Sequence, residues 1–162
     1  MNGLEALSWM PSQSLLRYWD CASAKDWARV LAPFPLFSGM SKRRVRKLVR
    51  HATFAEFAPG DTVVARNAPA DWLYVILGGT AKTRATREDR TLRTGDYFGE
   101  VCLIAGSPRS ATLVATRWLH VMRLPRDAFL RVAHDDPGIL LALLKNLAAQ
   151  FRKVETQAPV EC

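Results

Sequence analysis

Apolar and polar residues follow two different rhythms along this chain. Up to residue 33 the spacing is helical, in pieces. Trp9, Leu15, Leu16, Tyr18, Trp19, Trp27, Val30 and Leu31 supply the apolar contacts, and Pro11 and Pro33 punctuate them. Ser41 is placed as an N-cap, and Val45, Leu48, Val49 and Ala52 then share one helix face. From Thr53 the period drops to two. Thr53 to Phe57 alternates and stops at the turn signal Pro59-Gly60-Asp61. Thr62 to Ala65 and Trp72 to Leu77 are β-branched and aromatic runs, and Gly78-Gly79 reads as a two-residue hairpin turn. Thr80 to Ala85 alternates, Arg87-Glu88-Asp89-Arg90 makes a charged loop, and Thr91 to Arg93 is short. Ala111 to Thr116 and Trp118 to Leu124 complete a set of about eight short strands, which predicts a jelly-roll-like barrel. The helical period then returns. Pro125 opens a helix over Arg126 to Ala133, Asp135-Asp136-Pro137 ends it, and a last helix runs from about Gly138 to Glu155. Ile139, Leu140, Leu143, Leu144, Leu147 and Phe151 form its stripe. Helices at both ends of a strand-rich middle make the class α+β.

Length and composition narrow the picture. A chain of 162 residues with 49% apolar content can bury a sizeable core and reads as one domain with helical ends. The longest apolar stretch, Ile139 to Leu144, is far short of a membrane span. Met1-Asn2-Gly3-Leu4-Glu5 lacks a basic n-region and a following apolar segment, so no signal peptide is expected. Cys21, Cys102 and Cys162 are too widely spaced for a disulfide framework or a metal pattern, which fits a reducing cytoplasm. Charge changes the picture more. Of a net +8, the six basic residues Lys42, Arg43, Arg44, Arg46, Lys47 and Arg50 lie in one short helix with no acid among them. Two readings stay open for it: a solvated face opposite a buried stripe, or a contact surface for an acidic partner, nucleic acid or anionic lipid. The basic residues interleave with aliphatics rather than aromatics, which weakens base stacking.

The chemistry concentrates in Gly95-Asp96-Tyr97-Phe98-Gly99-Glu100-Val101-Cys102-Leu103-Ile104-Ala105-Gly106-Ser107-Pro108-Arg109-Ser110-Ala111-Thr112. An anion leaving water must be paired and hydrogen-bonded. This stretch offers a short helix over Val101 to Ala105, whose first N–H groups are free. It offers Gly99, which lets backbone approach a ligand. It offers Arg109, always charged and able to grip two oxygens, behind the fixed backbone of Pro108. Glu100 would repel an anion, but a carboxylate pairs well with hydroxyl donors, and a ribose 2′-hydroxyl beside a phosphate fits it. Taken singly, Glu100 is a first-turn acid and Arg109 its surface partner. The string as a whole points to a site.

Phe98-Gly99-Glu100-x-x-Leu103, followed by Pro108-Arg109-Ser110-Ala111-Thr112, resembles the phosphate-binding cassette of cyclic nucleotide-binding domains. That family includes regulatory subunits of cAMP-dependent protein kinase, cyclic nucleotide-gated channels and catabolite activator proteins. The resemblance runs from about Phe34 to Lys153 and implies an eight-stranded β-roll closed by helices. It places an N-terminal helical extension at 1–33, the binding domain at 34–155 and a polar tail at 156–162. It implies that Glu100 holds the ribose 2′-hydroxyl, that Arg109 holds the cyclic phosphate, and that backbone N–H groups at Gly99, Cys102 and Ser110 complete the cradle. Val101 and Ala111 fall in the same cassette, Thr83 and Leu92 fall on the wall against the base, and Phe151 and Arg152 match the lid. A hinge near Phe129 to His134 would let the last helix fold over the base. The ligand implied is cAMP, with cGMP kept open because Ser110 could meet a guanine amino group; no further cofactor is implied.

Three functions compete. The first is a cyclic nucleotide sensor, stand-alone or part of a larger regulator, which includes the ligand-gating domain of a bacterial channel. No helix-turn-helix, tandem domain or span is evident, so the output would pass through a protein partner, a neighbouring domain, or a second copy docked through the terminal helices. The second is a ligand-free roll used for protein contacts, against which the retained Glu100 and Arg109 argue. The third is a metal-dependent jelly-roll oxygenase, but His51, His120 and His134 lie in three separate elements.

Overall fold

The computed structural model describes residues 23–84 and 89–157. The apolar pieces expected up to residue 22, the first part of the charged loop, and the tail from residue 158 lie outside them. Helix α1, Ala24–Leu31, starts at Ser23, whose hydroxyl caps Asp26 N while the Asp26 carboxylate caps Ser23 N. It buries Trp27, Ala28 and Leu31, and the Trp27 ring stacks on Phe54 at 4.8 Å. A 3₁₀ turn, Pro35–Phe37, leads to α2, Lys42–Val49, which Ser41 caps as the sequence leads one to expect. Val45, Leu48 and Val49 are its buried stripe.

Eight strands follow among the described residues: β1 Thr53–Phe57, β2 Thr62–Val64, β3 Trp72–Gly78, β4 Thr80–Arg84, β5 Thr91–Arg93, β6 Tyr97–Phe98, β7 Thr112–Ala115 and β8 Leu119–Pro125. They form two antiparallel four-stranded sheets, ordered β1-β8-β3-β6 and β2-β7-β4-β5. Strand β3 explains the continuous apolar run Leu73 to Leu77. Leu73, Val75 and Leu77 pack in the cluster with the helices, while Tyr74 and Ile76 pack between the sheets, so both faces are dry. The two-residue strand β6 has no alternation to betray it. It is held by the pairs Tyr74↔Phe98 and Val75↔Tyr97.

The hairpin expected at Gly78-Gly79 is not one. Strand β3 pairs with β6 and β8, whereas β4 pairs with β5 and β7, so the two glycines carry the chain across from one sheet to the other. Gly79 has φ +84°, and a Cβ there would overlap the Trp118 carbonyl oxygen. The glycine pair serves a close approach at a barrel corner, a role that looks the same as a hairpin in sequence.

A short helix α3, Glu100–Ala105, lies between Gly99 and Gly106, both left-handed. Helix α4, Arg126–Asp135, and helix α5, Pro137–Gln157, close the fold. The stretch Phe129 to His134, expected as a hinge, is continuous helix with Phe129 fully buried. The helical geometry breaks at Asp136 instead. On α5 only part of the expected stripe is buried. Ile139 and Leu143 are inaccessible, but Leu144 and Phe151 are 50% and 68% exposed. Among the described residues no helix is long and apolar enough to cross a membrane, and no cluster of three His, Cys, Asp or Glu side chains could hold a metal.

Candidate functional site

The site is assembled where β6 runs into α3. Tyr97 and Phe98 end on Gly99, whose φ of +96° turns the chain into the helix. A Cβ at Gly99 would overlap the Arg109 guanidinium, so glycine is what lets backbone and guanidinium share this space. Thr83, Arg90, Tyr97, Phe98, Gly99, Glu100, Val101, Cys102, Ser110 and Ala111 line a cavity of about 260 Å³.

Arg109 stands behind this wall and is only 2% exposed. The Pro108-Arg109 loop is pinned by backbone bonds, Arg109 N donating to Ala68 O and Asn67 N donating to Arg109 O, each at 2.9 Å. One guanidinium nitrogen, Nη2, donates to the Trp72 carbonyl. The guanidinium carbon lies 5.6 Å from the Tyr74 ring centroid and 5.8 Å from that of Phe98. Nε and Nη1 are buried with no hydrogen-bond partner among the described residues. Burial pushes the Arg109 pKa down, and the nearby Tyr74, Cys102, Asp71 and Glu100 only partly oppose this. A buried cation with two donors unpaired is costly, and an anion would relieve it once the side chain turned from the Trp72 carbonyl into the cavity.

Glu100 is half-buried in the same wall. Burial raises its pKa; its own backbone N–H, Arg90, the Gly99 N–H and Arg109 pull the other way. No ion pair between Glu100 and Arg109 is present among the described residues. The carboxylate lines the cavity and keeps capacity to accept from a hydroxyl beside the Glu100 and Gly99 N–H groups, whereas the guanidinium, bonded to the Trp72 carbonyl, does not itself line it.

The other expected residues divide. Val101, Cys102, Ser110 and Ala111 line the cavity, with Cys102 a buried free thiol. Thr83 lines it too, but its hydroxyl accepts from Arg90 N at 2.9 Å, while Thr83 N donates to Arg90 O at 2.8 Å. Thr83 therefore fixes Arg90 at the rim. Leu92 does not reach the cavity; it is 1% exposed, in the core between the sheets. An odd–even slip on a three-residue strand is enough to turn an expected wall residue inward. Phe151 and Arg152 do not reach it either and are exposed on α5. Phe98 opens the cassette motif but the sequence assigns no role to it, to Tyr97 or to Arg90. Arg90 sits at the end of a charged loop, where its sign alone gave no reason to separate it from its neighbours.

Two packed four-stranded sheets, helices at both ends and a glycine-entered short helix facing a cavity define a helix-capped β-roll. The chain belongs to the cyclic nucleotide-binding domain family, whose model matches residues 54–136. It is 31% identical over 125 residues to a cGMP-dependent protein kinase of Toxoplasma gondii, covering 76% of this chain and 13% of that one. It is 27% identical over 120 residues to the cAMP-dependent protein kinase regulatory subunit of Hypocrea atroviridis, covering 74% of this chain and 26% of that one. Among solved structures, the regulatory domain of Toxoplasma gondii PKA co-crystallised with cAMP matches with a TM-score of 0.67 and 24% identity, covering 78% of this chain and 50% of that one. The chain therefore spans 13% and 26% of the length of these two curated relatives.

Proposed function

We propose that this chain is a non-catalytic sensor of cyclic nucleotide, with cAMP as its ligand and residues 34–155 as the binding unit, acting in the cytoplasm through a protein partner or a neighbouring domain. The observation that carries this reading is Arg109: a buried guanidinium with two donors unpaired, behind a glycine, next to a half-buried carboxylate on a cavity wall. In this reading the cyclic phosphate pairs with Arg109 and takes N–H bonds at Gly99, Cys102 and Ser110. The ribose 2′-hydroxyl donates to Glu100. Ligand binding shifts the population toward whichever arrangement of α5 contacts it more. Calorimetric titration with cAMP, cGMP and acyclic AMP tests it. Saturable binding of a cyclic nucleotide and none of AMP is expected. No heat and no thermal shift at millimolar cyclic nucleotide would favour a ligand-free roll that serves protein contacts.

The Glu100 role has its own test. Glu100→Ala should weaken cAMP more than 2′-deoxy-cAMP, because only the former has the hydroxyl that the carboxylate accepts from. Equal losses on both ligands would remove Glu100 from the ribose.

Arg90 favours a second reading, cGMP. A guanidinium pairs with the O6 and N7 acceptors of guanine, whereas adenine presents an N6 donor in place of O6. Ser110, exposed on the same cavity, offers an acceptor for the guanine amino group. Comparing both nucleotides on wild type and Arg90→Ala separates the readings. If the base contact exists, the variant loses about 1–3 kcal/mol on cGMP and little on cAMP.

A further inference from the structure

Helix α5 stands off the site. Its first turns bury Ile139, Ala142 and Leu143, but among the described residues none of α5 lines the site cavity. Asn146 and Ala149 instead line a separate cavity of about 480 Å³, which meets the site at Arg90 and Tyr97. Polar fastenings at Asp136 and Asn146 hold α5 there, and both run to the same N-terminal piece, residues 35–49. At the break between α4 and α5, Asp136 accepts from Arg44 Nε at 2.9 Å and from Lys47 Nζ at 3.1 Å. Gly138 makes this seat possible, since a Cβ there would overlap the Arg44 guanidinium. Two turns on, the Asn146 amide donates to Pro35 O at 2.8 Å and to Leu36 O at 3.2 Å, with Ser38 O at 3.5 Å. These carbonyls belong to the 3₁₀ turn, where Pro35 O also accepts from Ser38 N at 3.2 Å.

This gives part of the basic helix a use that composition could not show. Arg44 and Lys47 pair with Asp136. The ion pairs are partly exposed, with side-chain accessibilities of 37%, 34% and 16% for Arg44, Lys47 and Asp136, so each is weak enough for a ligand to overcome. A ligand that draws α5 over its base must break the Asn146 bonds and strain the Asp136 pairs at the pivot, or carry residues 35–49 along. Apparent affinity falls with the fraction of protein that is binding-competent, so whatever holds α5 away sets that affinity.

We infer that Asp136 and Asn146 are positioning residues that clasp α5 to residues 35–49 and thereby hold the affinity of the cyclic-nucleotide site down, an inference that rests on the function proposed above. The test measures dissociation constants for cAMP and cGMP on the full chain as wild type, Asp136→Asn, Asn146→Ala and the double variant. Each single variant should bind roughly two- to fivefold tighter, and the double variant close to the product of the two. Backbone amides of α5 should exchange faster in the ligand-free variants while those of β3 and β8 do not. A merely structural role would lower thermal stability and affinity together, so tighter binding at equal or lower stability is the signature. Single variants that bind no tighter than wild type, or more weakly, overturn the clasp alone. A wild type that binds neither nucleotide overturns the site reading as well.

Discussion

Arg109→Met is expected to weaken cyclic-nucleotide binding severely while leaving the ligand-free fold at least as stable as wild type. The binding loss should be about 2–5 kcal/mol, the usual consequence of truncating one partner of a buried charge pair, which is about 30-fold to several thousandfold in dissociation constant. Stability moves differently. In the ligand-free protein, Nε and Nη1 of Arg109 are buried without partners, and each such donor costs about 1–3 kcal/mol. Against that stand one charge-assisted bond to the Trp72 carbonyl and the faces of Tyr74 and Phe98. An apolar side chain of similar length keeps the packing and removes the charge, an exchange that is often neutral or stabilising. The thermal midpoint should therefore hold level or rise by a few degrees. A fall of several degrees would mean that Arg109 is a structural element, held by its aromatic neighbours for the fold rather than for a ligand.

Gly79→Ala should be the most damaging small substitution in the roll. Its cost combines a left-handed φ of +84° with a Cβ pressed into backbone, 2.8 Å from Trp118 C and 3.0 Å from Leu119 Cα. A left-handed conformation costs about 1–2 kcal/mol for a residue with a Cβ, and overpacking adds about 1–3 kcal/mol. Chemical denaturation should show a loss of about 2–5 kcal/mol by the sum of those effects. Gly60→Ala is the control. Gly60 has φ +91° but nothing within 4 Å of its would-be Cβ, so only the conformational part remains. Equal, small effects at both positions would mean that the crossing between the sheets is not as close as described.

Much of this fold is legible in the sequence because its signals are local. Ser41 and the stripe Val45, Leu48, Val49 define α2 within a few turns of contiguous chain, and β1 ends where Pro59-Gly60-Asp61 says it should. What was not legible depends on partners far away in the chain. Gly78-Gly79 has the composition of a hairpin turn, and only the pairing of β3 with β8 and of β4 with β7 reveals a sheet crossing. Strand β6 is too short to show a period. Leu144 and Phe151 carry the helical spacing of a buried stripe, yet they are exposed, because spacing tells which residues share a face and not how far along the helix its neighbours extend. At the site, Gly99, Glu100 and Arg109 are legible as chemistry. That Arg109 lies behind the cavity wall, and that Arg90 lies on it, depends on Trp72, Tyr74 and Thr83 coming from other strands. The basic helix is the clearest case. Its charge is plain in sequence, but the use of Arg44 and Lys47 is set by Asp136, about ninety residues away.

The most direct measurement is a crystal structure of the protein grown with saturating cAMP or cGMP. The account expects the cyclic phosphate within hydrogen-bond distance of the Arg109 guanidinium, about 3 Å, with the ribose 2′-hydroxyl on the Glu100 carboxylate. A nucleotide bound elsewhere, or bound here with Arg109 still turned to the Trp72 carbonyl and Glu100 touching nothing of the ribose, would contradict it.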